Sequence, residues 1–354
     1  MASRAVFCGN VQIGGGAPVS VQSMTNTFTE NIDATKAQIE ALAAAGADIV
    51  RCAVPTPEAA EALAEIKARG IRVPIVADIH FDCKLALAAI KAGADKIRIN
   101  PGNIGGTEKL KAVTDAAGAA GIPMRIGVNG GSIEKDLKEL YKSNPAEALA
   151  ESAMRSIDIV KGLGFEDIVV SMKSSDVIIS TEAHKLLAAE TDVPLHIGIT
   201  EAGFGRAAVV KSAAGIGALL AMGIGDTIRV SLTGDPVAEV EAARDILRAV
   251  NMLPGQITLI SCPTCGRCKT DIAALCAEAA TALEEIERTR ISGKPIVAAL
   301  MGCAVNGPGE ATHADLGVAC GADGGVYFEK GEQICAVRYD EIVEKLIRGV
   351  RALL

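Results

Sequence analysis

Residues 96–129 read KIRINPGNIGGTEKLKAVTDAAGAAGIPMRIGVN, and this stretch decides the fold. It opens on a short apolar strand over 96–101, turns through a Gly-rich segment, and continues as an Ala-rich amphipathic helix over 107–120. Gly121 ends the helix, and MRIGVN (124–129) follows as a second strand. Strand, helix and strand in this order form a parallel βαβ unit.

The same unit recurs on both sides. Strands are predicted at 19–24, 48–54, 73–80, 167–173, 195–200 and 227–232 as well. Helices are predicted at 33–45, 56–69, 82–92, 107–120, 146–163, 176–190, 205–221 and 237–250. Eight nearly even β-α units indicate an α/β fold, a (β/α)8 TIM barrel rather than an open doubly wound sheet. The apolar, Gly-rich opening at 5–18 is expected to form a hairpin closing the barrel bottom. The stretch 130–145, GGSIEKDLKELYKSNP, inserts an extra helix over the face expected to be active.

After Pro254-Gly255 the pattern changes to a smaller α+β domain. A strand (256–261), a helix (269–289), a strand (295–300), a Gly-rich hairpin and a last helix (340–353) are predicted. The domains are therefore read as 1–253 and 254–354.

Composition narrows the function. The chain has 354 residues, 49% of them hydrophobic but only 3% aromatic, so small residues must carry close helix–strand packing. A net charge of -8 argues against general nucleic-acid or anionic-membrane binding, and an anionic substrate must meet a local basic cluster. No run of 18 apolar residues suggests a membrane span, and the start does not resemble a signal peptide. The expected compartment is the cytoplasm.

Such a cluster exists. Barrel chemistry gathers at the C-terminal strand ends, and there Arg51, Arg98, Arg125, Lys173 and Arg229 come from five strands. Asn100, Asn129 and Ser231 follow three of them, Asp78 and His80 end the third strand, and His196, Thr200 and Glu201 belong to the seventh. Guanidinium forks match phosphate oxygens, so five converging cations imply a multiply charged anion. The plainer reading pairs one or two of them with Asp48, Asp95 or Asp167. His80 and His196 are expected at the mouth, and Glu201 is an acid/base candidate. His184 reads as helix surface, and His313 as surface or as a neighbour of the ligand loop.

Most of the ten cysteines lie between residues 262 and 335. Cys262 and Cys265 stand in ISCPTCGRC, and Cys303 precedes Glu310 in LMGCAVNGPGEA. Structural zinc prefers four nitrogen or sulfur ligands, whereas three thiolates and one carboxylate suit an iron–sulfur cluster with one distinct iron. The Asn306-Gly307-Pro308-Gly309 turn would return Glu310 towards Cys303. Cys8, Cys52 and Cys83 read as buried small hydrophobes.

Together VQSMTNT (21–27), VADIHFD (76–82), KIRINPGNIG (96–105), RIGVN (125–129), PLHIGITEAG (194–203), IRVSL (228–232), CPTCGR (262–267) and MGCAVNGPGEA (301–311) resemble the 4-hydroxy-3-methylbut-2-enyl diphosphate synthases of isoprenoid biosynthesis, almost end to end. The resemblance implies an iron–sulfur oxidoreductase with a TIM barrel and a C-terminal domain similar to those of sulfite and nitrite reductases. It implies a 4Fe–4S cluster on Cys262, Cys265, Cys303 and Glu310, and a head-to-tail homodimer. The implied reaction is the two-electron ring opening of 2-C-methyl-D-erythritol 2,4-cyclodiphosphate with loss of water, with electrons from reduced flavodoxin or ferredoxin. On this reading Arg51, Arg98, Arg125, Lys173, Arg229 and Ser231 grip the diphosphate, with Asn100, Asn129 and His196 alongside. Glu201, Asp78 and His80 handle protons.

One departure stands out. Cys268 extends the motif to Cys-x-x-Cys-x-x-Cys, and is read as a bystander rather than a repair ligand or a competitor of Glu310, because the Cys303–Glu310 loop is intact. Cys320 has no functional account. Two rival readings are a dihydropteroate synthase-like barrel transferase with a zinc-stapled C-terminal domain, and a non-enzymatic iron–sulfur carrier.

Overall fold

A computed structural model describes residues 3–266, 268, 270–290, 293–303 and 313–354. The expected Asn306–Gly309 turn and Glu310 lie outside the described residues. The chain divides into two compact units, Met1–Met252 and Leu253–Leu354.

In the first unit a hairpin, β1 (Val6–Cys8) and β2 (Val11–Ile13), precedes eight parallel strands. These are β3 (Ser20–Met24), β4 (Ile49–Ala53), β5 (Ile75–Asp78), β6 (Lys96–Ile99), β7 (Met124–Asn129), β8 (Ile168–Lys173), β9 (His196–Ile197) and β10 (Thr227–Ile228). Their order is β8-β7-β6-β5-β4-β3-β10-β9. A parallel bridge between Val170 and Leu195 joins β8 to the β9 side and closes the barrel. The hairpin plugs the bottom, where Val6, Cys8 and Ile13 pack on Ile49, Val76 and Val169 from the strands.

The last two strands are shorter than predicted, with a physical cause. Any side chain at Gly198 would meet the Arg229 carbonyl oxygen at 2.5 Å, so the two chains run too close there for ordinary paired residues. Thr200 instead donates its backbone N–H to Ser174.

Around the barrel run α1 (Ile32–Ala44), α2 (Pro57–Ala68), α3 (Cys83–Lys91), α4 (Thr107–Ala120), the short α5 (Lys138–Ser143), α6 (Pro145–Gly162), α7 (Val177–Glu190), α8 (Gly205–Ala221) and α9 (Pro236–Ala249). Side-chain caps from Asn31, Thr56, Asp82, Asp176 and Asp235 fix the starts of α1, α2, α3, α7 and α9, and so fix the turns that carry the strand ends. The inserted segment folds as two short 3₁₀ turns and α5, held by Ile133, Leu137, Leu140, Tyr141 and Ala148. His184, expected on the surface, is 1% exposed. It shares the buried face of α7 with Ser180, Ala183 and Leu187, an i, i+3, i+4, i+7 pattern that was present in the sequence. Burial pushes its imidazole down to about 4, against the effect of its hydrogen bond to the Ser180 carbonyl.

The second unit is a five-stranded sheet: β11 (Ile257–Ser261), β12 (Ile296–Met301), β13 (Leu316–Cys320), β14 (Gly324–Glu329) and β15 (Glu332–Arg338), in that order. The first three strands are parallel and the last three antiparallel. Two helices, α10 (Ile272–Thr289) and α11 (Ile342–Ala352), bury Leu275, Leu283, Leu346 and Val350 against Ile257, Leu300, Leu316 and Val318.

Candidate active site

Closure of the barrel turns a spread of basic residues into one charge cluster. Asp78, Arg98 and Arg125 are register partners across β5, β6 and β7, and Asn129 is the partner of Lys173. Arg98 and Arg125 are each only 1% exposed, and Arg51 is buried with them. Such barrels ordinarily fill these layers with branched apolar residues. Gly127 makes the substitution possible, because a Cβ there would stand 2.6 Å from the Arg98 guanidinium.

Two carboxylates organise the cations. Asp78 accepts from Arg98 at 3.1 Å, with Arg51 at 3.8 Å and the His80 ring at 3.4 Å. Burial alone would raise its carboxyl, but Arg51, His80, Arg98 and Arg125 together hold it well below the usual carboxylate range. Glu239, buried on α9, accepts from Arg229 through both oxygens at 3.1 and 3.2 Å. It also accepts from Ser23 Oγ and the Leu232 N–H, both at 3.0 Å. The partners suggested by the sequence serve elsewhere: Asp48 accepts the Val21 N–H, and Asp95 binds Lys67 and the Ile75 N–H. Glu239 carried no local signal, because helix packing alone brings it under β10.

The cations outnumber these partners. Burial first, then Arg51 and Arg98, hold the Arg125 guanidinium well below its ordinary range. Burial, then Arg98, Arg51 and Arg125, push the Lys173 ammonium down to about 7. Among the described residues, guanidinium nitrogens of Arg98 and Arg125 are buried without a hydrogen-bond partner. A buried excess of positive charge is costly in the free protein, and an anion with several oxygens would relieve it.

The remaining candidates divide by position. Asn100 folds the turn after β6 by accepting the Gly102 N–H at 3.1 Å. His80 is exposed beside Asp78, and Ser231 is half-buried. Glu201 is exposed and holds a left-handed backbone, φ 53°, which costs energy in a non-glycine residue. His196, expected at the mouth, is instead buried at the start of β9, level with Ser20 and Thr227 and a layer below Arg229. Burial first, then Arg125 and Lys96, hold it well below its ordinary range and therefore neutral. Lys96, not singled out from the sequence, is wholly buried, and burial pushes it down to about 8.

In the second unit, β11 and β12 are adjacent parallel strands with Ser261 beside Leu300, so Cys262 and Cys303 leave the same end of the sheet. The Gly302 N–H donates to Cys262 Sγ at 3.1 Å. A Cβ on Gly302 would fall 2.7 Å from Cys268 Sγ and 3.5 Å from Cys262 Sγ, so only glycine leaves this sulfur-lined cradle open. Among the described residues no three Cys, His, Asp or Glu side chains converge on a single ion. Ligands of a polynuclear cluster each take a different iron and stand further apart. Soft thiols, an open cradle and an N–H aimed at sulfur fit an iron–sulfur group.

The GcpE TIM-barrel domain matches residues 3–244, and the GcpE protein C-terminal domain matches residues 258–352. The chain belongs to the GcpE family. The first GcpE match contains the whole cation cluster and Glu239, and the second contains both thiol loops. Full-length relatives agree. A 4-hydroxy-3-methylbut-2-en-1-yl diphosphate synthase (flavodoxin) from Caldanaerobacter subterraneus is 50% identical over 99% of this chain and 97% of its own length. One from Thermodesulfovibrio yellowstonii is 51% identical over 99% of this chain and 98% of its own. Among solved structures, a dihydropteroate synthase from Stenotrophomonas maltophilia is 20% identical, with TM-score 0.53, covering 71% of this chain and 100% of its own. At that identity the likeness shows the barrel fold alone and does not favour the transferase reading.

Proposed function

We propose that this chain reduces 2-C-methyl-D-erythritol 2,4-cyclodiphosphate to 4-hydroxy-3-methylbut-2-enyl diphosphate, consuming two electrons and releasing water. The observation that carries the reading is the set of five cations, from five strands, gathered round Asp78 and Glu239 in a protein of net charge -8. Half-identity to synthases along the whole chain supports it.

In this reading Arg51, Arg98, Arg125, Lys173 and Arg229 bind the two phosphoryl groups, with Ser231, Asn100 and Asn129 as hydrogen-bonding neighbours. Asp78 and Glu239 offset the mutual repulsion of the guanidinium groups, so orientation is set before the substrate arrives. Lys173, near neutrality in the free protein, takes up a proton as the anion enters. His80 beside Asp78 and the exposed Glu201 hold or pass protons to the departing hydroxyl. His196 acts as a neutral wall below the site. A 4Fe–4S cluster held by Cys262, Cys265, Cys303 and Glu310 supplies single-electron transfer and a Lewis-acidic iron when bound.

Reduced flavodoxin is the proposed donor, following the relatives' names. The proposed assembly is a homodimer in which a second copy covers the barrel mouth. Phe28, Phe81 and Phe204, on loops that follow β3, β5 and β9, are 86%, 72% and 78% exposed, an apolar rim that water disfavours. Among the described residues no helix is long and apolar enough to cross a membrane, and the proposed compartment is the cytoplasm.

The test is anaerobic reconstitution with iron and sulfide, followed by turnover of the cyclodiphosphate with a strong reductant. A brown protein with about four irons per chain that forms the linear diphosphate supports the reading. A colourless zinc protein inert to the cyclodiphosphate overturns it.

A further inference from the structure

Cys268 was read from the sequence as a bystander, and its placement argues otherwise. The motif Cys262-x-x-Cys265-x-x-Cys268 with a distant Cys303 is a complete four-thiol set of the kind that holds a cubane in bacterial ferredoxins. A bystander sulfur would face away from the cradle. Here, among the described residues outside Gly302 and its two chain neighbours, Cys268 Sγ comes nearest to the position a Cβ on Gly302 would take, at 2.7 Å, with Cys262 Sγ at 3.5 Å from the same point. Gly302 immediately precedes Cys303. The loop folds back because the Cys268 N–H donates to the Cys265 carbonyl at 2.9 Å, and Cys268 Sγ lies 3.2 Å from the Thr270 carbonyl. Two loops therefore bring Cys262 and Cys268 together against the residue before Cys303.

We propose that Cys268 is an alternative fourth ligand of the cluster, able to take the iron otherwise assigned to Glu310. This rests on the cluster reading above. Thiolate is a softer ligand than carboxylate and suits iron–sulfur centres better. The chain then has two ligand sets: three thiolates with Glu310, which leaves one iron easily released to substrate, and four thiolates, which leaves none. The second set preserves the cluster when no substrate is present.

The experiment compares anaerobically reconstituted wild type, Glu310→Gln, Glu310→Gln/Cys268→Ser and Glu310→Gln/Cys276→Ser. Iron content and the electron paramagnetic resonance spectrum after mild oxidation are recorded. Cys276, on α10, controls for loss of any nearby thiol. The expected result is that Glu310→Gln and its Cys276 partner keep about four irons per chain, while the Cys268 double variant falls to about three and shows the paramagnetic three-iron signal. A three-iron signal already present in Glu310→Gln overturns the proposal, as does equal retention in the Cys268 and Cys276 double variants. A wild type that assembles no cluster overturns the underlying reading instead.

Discussion

The two units solve opposite electrostatic problems. The barrel unit gathers like charges and must restrain them, whereas the C-terminal unit gathers soft sulfur ligands on two loops. The barrel does so with strand residues whose positions are fixed by closure of the sheet, and with two buried carboxylates as spacers. The C-terminal unit does so with loops leaving two neighbouring parallel strands, with the Gly302 N–H donating to Cys262. The proposed anion site is thus built from the strands of the fold, while the proposed thiol site is built from loops.

The comparison can be broken most sharply at Cys303. Cys303→Ala is expected to abolish turnover and cluster assembly while pyrophosphate still binds the barrel with unchanged affinity. Iron analysis and calorimetry read the two effects separately, and a parallel loss of pyrophosphate binding would refute the division of labour.

Next in size is Arg98→Met, which removes the partner closest to the buried Asp78 carboxylate. Breaking a buried pair by removing one member costs about 3–5 kcal/mol. Thermal unfolding of the barrel should fall accordingly, and pyrophosphate affinity with it, whereas iron content should not change.

Glu239→Gln keeps the shape of the side chain but loses its charge opposite Arg229. Each charge-assisted hydrogen bond is worth about 1.5–3 kcal/mol, so KM should rise by roughly 10-fold or more, with a smaller change in kcat. Glu239→Asp should recover part of the loss; an unchanged KM would mean that Arg229 does not touch the substrate.

The smallest effect is that of pH. In the proposed site the anion pairs with the protonated ammonium of Lys173, which in the free protein is pushed down to about 7. Binding is therefore full below pH 7 and weakens as pH rises through it, by up to about 10-fold per unit until the bound-state value is reached. Lys173→Met should bind more weakly at pH 6 and lose this pH dependence. A wild-type profile flat from pH 6 to 8 would remove Lys173 from the site.

The barrel was largely legible because its signals are local. Strand, turn, cap and helix repeat within windows of about 30 residues, and α4 and α8 begin and end where their sequences predicted. Alternation along single strands puts Arg98 and Asn100 on one side, and likewise Arg229 and Ser231. The lengths of β9 and β10 were not legible, since the close approach of Gly198 to the Arg229 carbonyl is a contact between two strands.

What the amino-acid sequence determined by itself was the list of parts: eight β-α units, five cations at strand ends, and a run of cysteines after residue 254. Only the tertiary structure decided how the parts neutralise and face one another. Asp78 rather than Asp48 or Asp95 became the counter-charge, Glu239 reached Arg229 from α9, His196 sank below the mouth, and Cys268 turned towards Gly302. The reason is physical. Periodicity and capping act along the chain, whereas charge pairing and close packing act through space, and a short stretch of sequence does not encode which distant side chain fills the remaining volume.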